Sequence, residues 1–167
     1  MPEQEHTATG ALLPEQAVVD IFRERKLKLA LAESCTGGMI AARLTSVPGA
    51  SEIFNGSIVC YANEVKCDLL GVPQGILETE GAVSASCARA MAEGARRALK
   101  SDIAVSVTGI AGPAGGTPTK PVGCVFIGLA TEKEVSAEEY HFSGDREHIR
   151  KQAADAALRA TLRATEQ

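Results

Sequence analysis

The chain has 167 residues, a formal net charge of -4 and 45% hydrophobic residues, with aromatics at only 4% and no tryptophan. That length fits one domain with a self-sufficient core, and without a basic stripe or interleaved aromatics a general nucleic-acid-binding surface is excluded. No apolar run is long enough to cross a bilayer, and "MPEQEHTATG" lacks the basic-then-apolar order of a signal peptide, so a soluble cytoplasmic protein is expected.

Residues 1–13 read as a loose tail ahead of a single domain over 14–167. Pro14 opens a helix in which Ala17, Val18, Ile21 and Phe22 recur at helical spacing, to about Lys26. "LKLALAES" is a short central strand, and Ser34, Cys35, Thr36, Gly37 and Gly38 lead from it into a helix from Met39 to about Ser46. "FNGSIVCYA" is the second strand, Asn63 is the expected N-cap of a helix over "EVKCDLLG", and "VPQGILETEG" reads as a turn-rich connection. Ser84 caps a long helix through Leu99 with Cys87, Met91, Ala95 and Ala98 on its inner side. "DIAVSVTG" is the third strand, and "GIAGPAGGTPTKPVG" follows as a loop. "CVFIGLA" and "SAEEYHF" make a hairpin turning at Glu132 and Lys133. Asp145 caps a last helix that turns Ile149, Ala153, Ala156, Ala160 and Ala164 inward. This order predicts the α/β class: a three-layer α/β/α sandwich with a mixed sheet.

Five cysteines, an odd number with no C-x-x-C pair, read as free thiols. His6, His141 and His148 share no ligand spacing with them, so no metal site is predicted, and His141 and His148 read as surface residues.

Ser34 stands at the carboxyl end of the first strand, where open α/β sheets bind ligands. The amides of Thr36, Gly37 and Gly38 at a helix N-terminus would cradle a phosphate, or an oxyanion formed when Ser34 attacks a carbonyl. A plain helix cap by Ser34 or Thr36 is the alternative. Lys66 sits near the start of its helix, where the macrodipole disfavours a cation, and partial burial there lowers an amine's pKa as a general base requires. A solvated surface lysine is the other reading. Tyr61 ends the preceding strand, placed either to relay a proton or only to cover the strand end. Thr108 reaches the same sheet edge, and Gly109, Gly112, Gly115 and Gly116 bring amides toward a phosphate, with Lys120 adding charge; a flexible loop is the alternative. Arg146 and Arg150 start the last helix, within reach of a phosphate or simply solvated. Cys35 as a thiolate nucleophile is a further reading, weakened by the lack of a histidine partner.

Taken in order, "AESCTGG", "VPGAS", "YANEVK", "GAVS", "VTGIAGPAGGTPTKPVG" and "FSGDREHIR" resemble the CinA carboxy-terminal domain family over residues 14–163. That family includes stand-alone nicotinamide-nucleotide amidohydrolases. The resemblance implies hydrolysis of the carboxamide of nicotinamide mononucleotide (NMN), with a serine nucleophile, a lysine base and a nearby tyrosine that fall on Ser34, Lys66 and Tyr61. It places Thr108 and the following glycines in a substrate loop, calls for no metal or cofactor, and makes a homodimer plausible. Larger members carry an additional amino-terminal domain, for which 167 residues leave no room. A nucleotide-binding regulatory module without catalysis is the rival expectation. Ala62 stands where serine is frequent in the family, and Cys35 where the family varies.

Overall fold

The computed structural model describes residues 11–167, so most of the expected tail lies outside the described residues. Its elements in chain order are α1 (Pro14–Arg25), β1 (Leu29–Glu33), α2 (Met39–Thr45), a 3-10 turn (Ala50–Glu52), β2 (Phe54–Val59), α3 (Asn63–Leu70), α4 (Gln74–Thr79), α5 (Ala85–Leu99), β3 (Ile103–Gly109), β4 (Cys124–Ala130), β5 (Val135–His141) and α6 (Arg146–Ala164).

The strands form one sheet in the order β2-β1-β3-β4-β5. β1 runs parallel to both β2 and β3, while β4 is antiparallel to β3 and β5 to β4. The sheet is therefore mixed, with β3 as its middle strand, and β1, buried at every position, lies between β2 and β3.

Alternation along the strands sorts the two layers of helix. Leu29, Leu31, Ile103, Val105, Val107, Val125 and Ile127 share one core with the apolar sides of α1, α2 and α6. The intervening small residues, Ala30, Ala32 and Ala104, join Leu70, Cys87, Met91 and Ala95 from α3 and α5 on the other face. Small residues are needed there because α5 lies very close to the sheet. Ser106 Oγ donates to the carbonyl of Ala88 at 2.6 Å, and a Cβ on Gly128 would stand 2.2 Å from that same oxygen. The α6 face takes the bulk instead: Phe22 is fully buried, and its truncation to Ala would cost about 3–5 kcal/mol.

The helix starts at Ser84 and Asp145 behave as their side chains predict, each accepting the amide three residues on, Cys87 and His148. Other expectations need correction. Ala62, not Asn63, is the N-cap of α3, with no side-chain cap bond, so Asn63 is already helical. The connection after α3 contains α4, which Gly75 argues against locally but which Ile76 and Leu77 hold by packing beside the α5 core. Ala98 is exposed because α5 ends over the amino ends of the strands, where Asn55 Nδ2 donates to the Leu99 carbonyl at 2.9 Å. Ala156 is only half-buried; the inward arc of α6 runs through Ala153, Ala157, Ala160 and Ala164.

Candidate functional site

β1 passes its chain to β2 along one face of the sheet, and β3 receives its chain from β2 along the other. The carboxyl ends of the three parallel strands thus open onto one crevice, the place where such sheets bind ligands. Ser34 follows β1 directly, its amide donating to the Val107 carbonyl at 3.0 Å. Lys66, from α3, reaches the same point. Its Nζ donates to Ser34 Oγ at 3.2 Å, to the Cys60 carbonyl at 2.8 Å and to the Tyr61 carbonyl at 3.0 Å. Lys66 is 1% exposed and Ser34 8%, and no carboxylate among the described residues pairs with the amine. Three neutral oxygens surround this buried nitrogen, and no counter-ion among the described residues faces it.

The residue before the serine sets the loop. Glu33 is fully buried at the end of an otherwise apolar strand. Its Oε1 accepts from Thr36 Oγ1 at 2.8 Å and the Ile40 amide at 2.9 Å; its Oε2 accepts from the Ala41 amide at 3.2 Å and Ser57 Oγ at 3.0 Å. A carboxylate at the positive end of α2 satisfies orphan amides and the dipole together. The expected anion seat at Thr36, Gly37 and Gly38 therefore has a carboxylate beside it, which takes the next amides along, those of Ile40 and Ala41. Glu33 occupies the helix end, Gly37 N donates back to the Ser34 carbonyl at 3.1 Å, and none of the three lines the crevice. The two glycines serve the backbone instead. Gly37 has φ +59 and Gly38 φ +102, a left-handed path that turns the chain from strand into helix. Arg150 of α6 pins the outer side of this turn, Nε donating to the Cys35 carbonyl and Nη2 to that of Thr36, both at 3.0 Å.

The crevice encloses about 280 Å³, just below the span of about 300 to 1,000 Å³ usual for ligand pockets. Ser34, Lys66, Tyr61, Thr108, Gly109, Gly112, Gly115 and Arg146 line it, joined by Cys35, Asn63, Ala82 and Val83. Thr108 Oγ1 donates to the Ala82 carbonyl at 2.8 Å, tying β3 to the start of the α5 connection. Gly109 is required by strand packing, since a Cβ there would lie 2.6 Å from Val125 Cγ2. Gly116 and Lys120, expected in the site, lie outside its lining. A Cβ on Gly116 would meet the Val122 amide at 2.8 Å, and Lys120 Nζ is turned to the Glu80 carbonyl.

Arg146 is the cation at the mouth, where Nη1 donates to the Gly112 carbonyl at 2.7 Å and Nη2 to Tyr61 Oη at 3.3 Å. Tyr61 is 63% exposed, and its phenol bonds Arg146, not Ser34 or Lys66. What Tyr61 gives Lys66 is its backbone carbonyl. Cys35 lines the crevice, and burial pushes its thiol up to about 11, the reverse of an activated thiolate. His141 and His148 sit outside the lining, beside Glu139 and Asp145 respectively.

Sequence reasoning did not single out Glu33, the place of Asn63 in the crevice wall or the anchoring role of Arg150. For Glu33 a signal was present: an acid closing a central strand, "LALAE", has to be buried and so has to be bonded. A larger groove of about 590 Å³ lies along α6 around Arg43, Phe142 and Arg159, but it shares no residue with the Ser34 crevice and is lined by no serine, threonine or cysteine.

Comparison with known proteins agrees with this architecture. The family described as "CinA C-terminal domain" matches residues 13–165. Among curated proteins, the chain is 57% identical to a CinA-like protein of Geobacter metallireducens over 144 residues, 86% of this chain and 35% of that protein. It is 51% identical to a CinA-like protein of Thermotoga neapolitana, again covering 86% of this chain and 35% of the relative. The chain thus spans about a third of the length of the curated relatives it matches. Among solved structures, the competence/damage inducible protein CihA of Agrobacterium tumefaciens superposes with a TM-score of 0.88 at 38% identity, covering 92% of this chain and 94% of that one. A competence-damaged protein (CinA) superfamily protein of Klebsiella pneumoniae gives 0.85 at 30% identity, over 89% and 92%.

Proposed function

Because the chain belongs to the CinA C-terminal domain family, we propose that it is an amidohydrolase that converts NMN and water to nicotinate mononucleotide and ammonia, with Ser34 as nucleophile and Lys66 as general base. One observation carries the reading. Two backbone carbonyls accept the N–H groups of the buried Lys66 amine, which leaves its third position facing Ser34 Oγ at 3.2 Å. With two hydrogens engaged, a neutral amine aims its lone pair at the serine hydroxyl, the geometry a base needs to take that proton.

Ser34 Oγ then adds to the carboxamide carbon as its proton passes to Lys66. The developing oxyanion needs donors, and Thr36, Gly37 and Gly38 lie outside the crevice lining. The Cys35 amide, beside Ser34 in the crevice wall, takes that role. Lys66 returns the proton to the leaving nitrogen, the C–N bond breaks, and ammonia departs. Water then attacks the Ser34 ester with Lys66 again as base, releasing the acid and restoring the hydroxyl. Arg146, at the mouth, supplies positive charge for the nucleotide phosphate, and Asn63 with the Thr108–Gly112 wall borders the remainder of the ligand. Residues 14–167 work as one catalytic unit in this reading, with a second copy of the chain as partner and the cytoplasm as its place.

The deciding experiment measures ammonia release from NMN, nicotinamide riboside and nicotinamide side by side, for the wild type and Ser34→Ala. Turnover of NMN above the two phosphate-free compounds, lost in Ser34→Ala with NMN binding retained, is the expected result. NMN binding without ammonia release by the wild type would replace this reading with a regulatory nucleotide-binding module.

A further inference from the structure

The hairpin of β4 and β5 brings together three side chains that sequence spacing keeps apart. Cys124 and His141 face each other across the two strands, and Glu139 lies two residues along β5 on the same face. Cys124 Sγ is 3.7 Å from Glu139 Oε1, and His141 Nε2 is 3.0 Å from that oxygen. All three donor atoms lie within 4.8 Å of one another, and this is the one such convergence of three metal-ligating side chains among the described residues.

We propose that Cys124, Glu139 and His141 form a binding site for a borderline-soft divalent transition metal ion, zinc(II) by its donor set. A tetrahedral zinc with one sulfur, one nitrogen and one oxygen ligand sets those atoms about 3.3–3.6 Å apart, within a few tenths of an ångström of the two distances to Glu139 Oε1. No Lys or Arg among the described residues pairs with Glu139, so a thiol and a carboxylate meet with only an imidazole between them. A cation resolves that juxtaposition. Metal binding displaces the thiol proton of Cys124, which passes to solvent. Sulfur, nitrogen and oxygen each donate a lone pair, and a water completes the tetrahedron. The site is separate from the Ser34 crevice and does not depend on the amidohydrolase reading, although the Cys124 carbonyl accepts the amide of Ile110 in the crevice wall at 2.9 Å.

The test is titration of the intact chain with cobalt(II), followed by competition with zinc(II) against a chromophoric chelator. Saturation at one equivalent, with a thiolate-to-cobalt charge-transfer band and tetrahedral d–d absorption, is expected. Cys124→Ser abolishes the charge-transfer band, and Glu139→Gln and His141→Ala each weaken zinc binding by at least about tenfold. Should Cys124→Ser fail to fold, His141→Ala, at an exposed position, decides alone. Absence of saturable binding by the wild type overturns the proposal. So does a charge-transfer band that survives Cys124→Ser, which would place the metal on Cys35, Cys60, Cys67 or Cys87, or zinc affinity left unchanged by His141→Ala.

Discussion

Arg146 donates to the phenol oxygen of Tyr61 at 3.3 Å, a contact that spans 85 positions of chain and joins the end of β2 to the start of α6 across the crevice mouth. The phenol is thereby committed to the rim and not to the serine. Tyr61→Phe should therefore act mainly on KM, lowering kcat/KM about tenfold, the value of one charge-assisted hydrogen bond at a part-exposed site. A loss in kcat as deep as that of Ser34→Ala would instead put the phenol in the proton path.

Lys66 is the opposite case. Lys66→Met removes the proposed base while keeping an unbranched side chain of similar length, and should lower kcat by about a thousandfold or more. The two carbonyls that lose their donor cost stability, and relief from burying an amine offsets part of that. Thermal melting within several degrees of the wild type, together with lost ammonia release, is the expected pair of measurements. Retained turnover would remove Lys66 from the chemistry.

Glu33→Gln is expected to be more damaging than its size suggests. All four donors around Glu33 point at acceptors, and an amide presents an N–H₂ to two of them. A loss of about 2–4 kcal/mol follows, roughly 6–12 °C in Tm, with reduced turnover because Ser34 is the next residue. Calorimetry of the variant checks this.

The buried thiols give the protein an alkaline limit. Burial pushes both Cys35 and Cys87 up to about 11 from 9.0, and shifts Cys60 and Cys124 in the same direction. As pH rises from about 9 to about 11 the unfolded chain gives up these protons first, so it binds fewer than the folded one and stability falls. Each thiol contributes at most about 1.4 kcal/mol per pH unit. Urea midpoints at about pH 8 and about pH 10.5 should diverge in the wild type, and diverge less in Cys35→Ala/Cys87→Ala.

Gly94→Ala tests packing against propensity. Within a helix the change should gain about 1 kcal/mol. Here the new methyl would lie 2.0 Å from the Leu70 carbonyl oxygen, where α3 crosses α5. Net destabilisation of at least about 2 kcal/mol is expected, read from chemical denaturation.

How far the sequence discloses all this depends on whether a feature is periodic or relational. The Leu–Ala alternation of "LALA" and the Val–Ser alternation of "AVSV" announce central strands with one bulky and one small face, and those faces are where the two layers of helix pack. Ser84 and Asp145 carry their capping chemistry locally, and the structure uses both. Direction is different. Lys120 belongs to a glycine-rich loop like a phosphate binder, yet only the folded loop turns its amine toward Glu80. The same holds for the amino end of α2: whether those amides are open depends on where the Glu33 side chain folds back, which no local pattern contains. α4 was hidden because its stability comes from α5 and not from its own residues. The cluster of Cys124, Glu139 and His141 was hidden because strand register, not linear spacing, makes them neighbours.

The close approach of α5 to the sheet has an evolutionary corollary. With Gly128, Ser106 and Ala88 already in contact, α5 has no slack to move away from the sheet beside Ala82 and Val83 in the crevice wall. The crevice wall formed by Ile110, Ala111 and Ala114 and the Arg146 rim lie clear of that contact, so substitutions there reshape the chamber without moving α5.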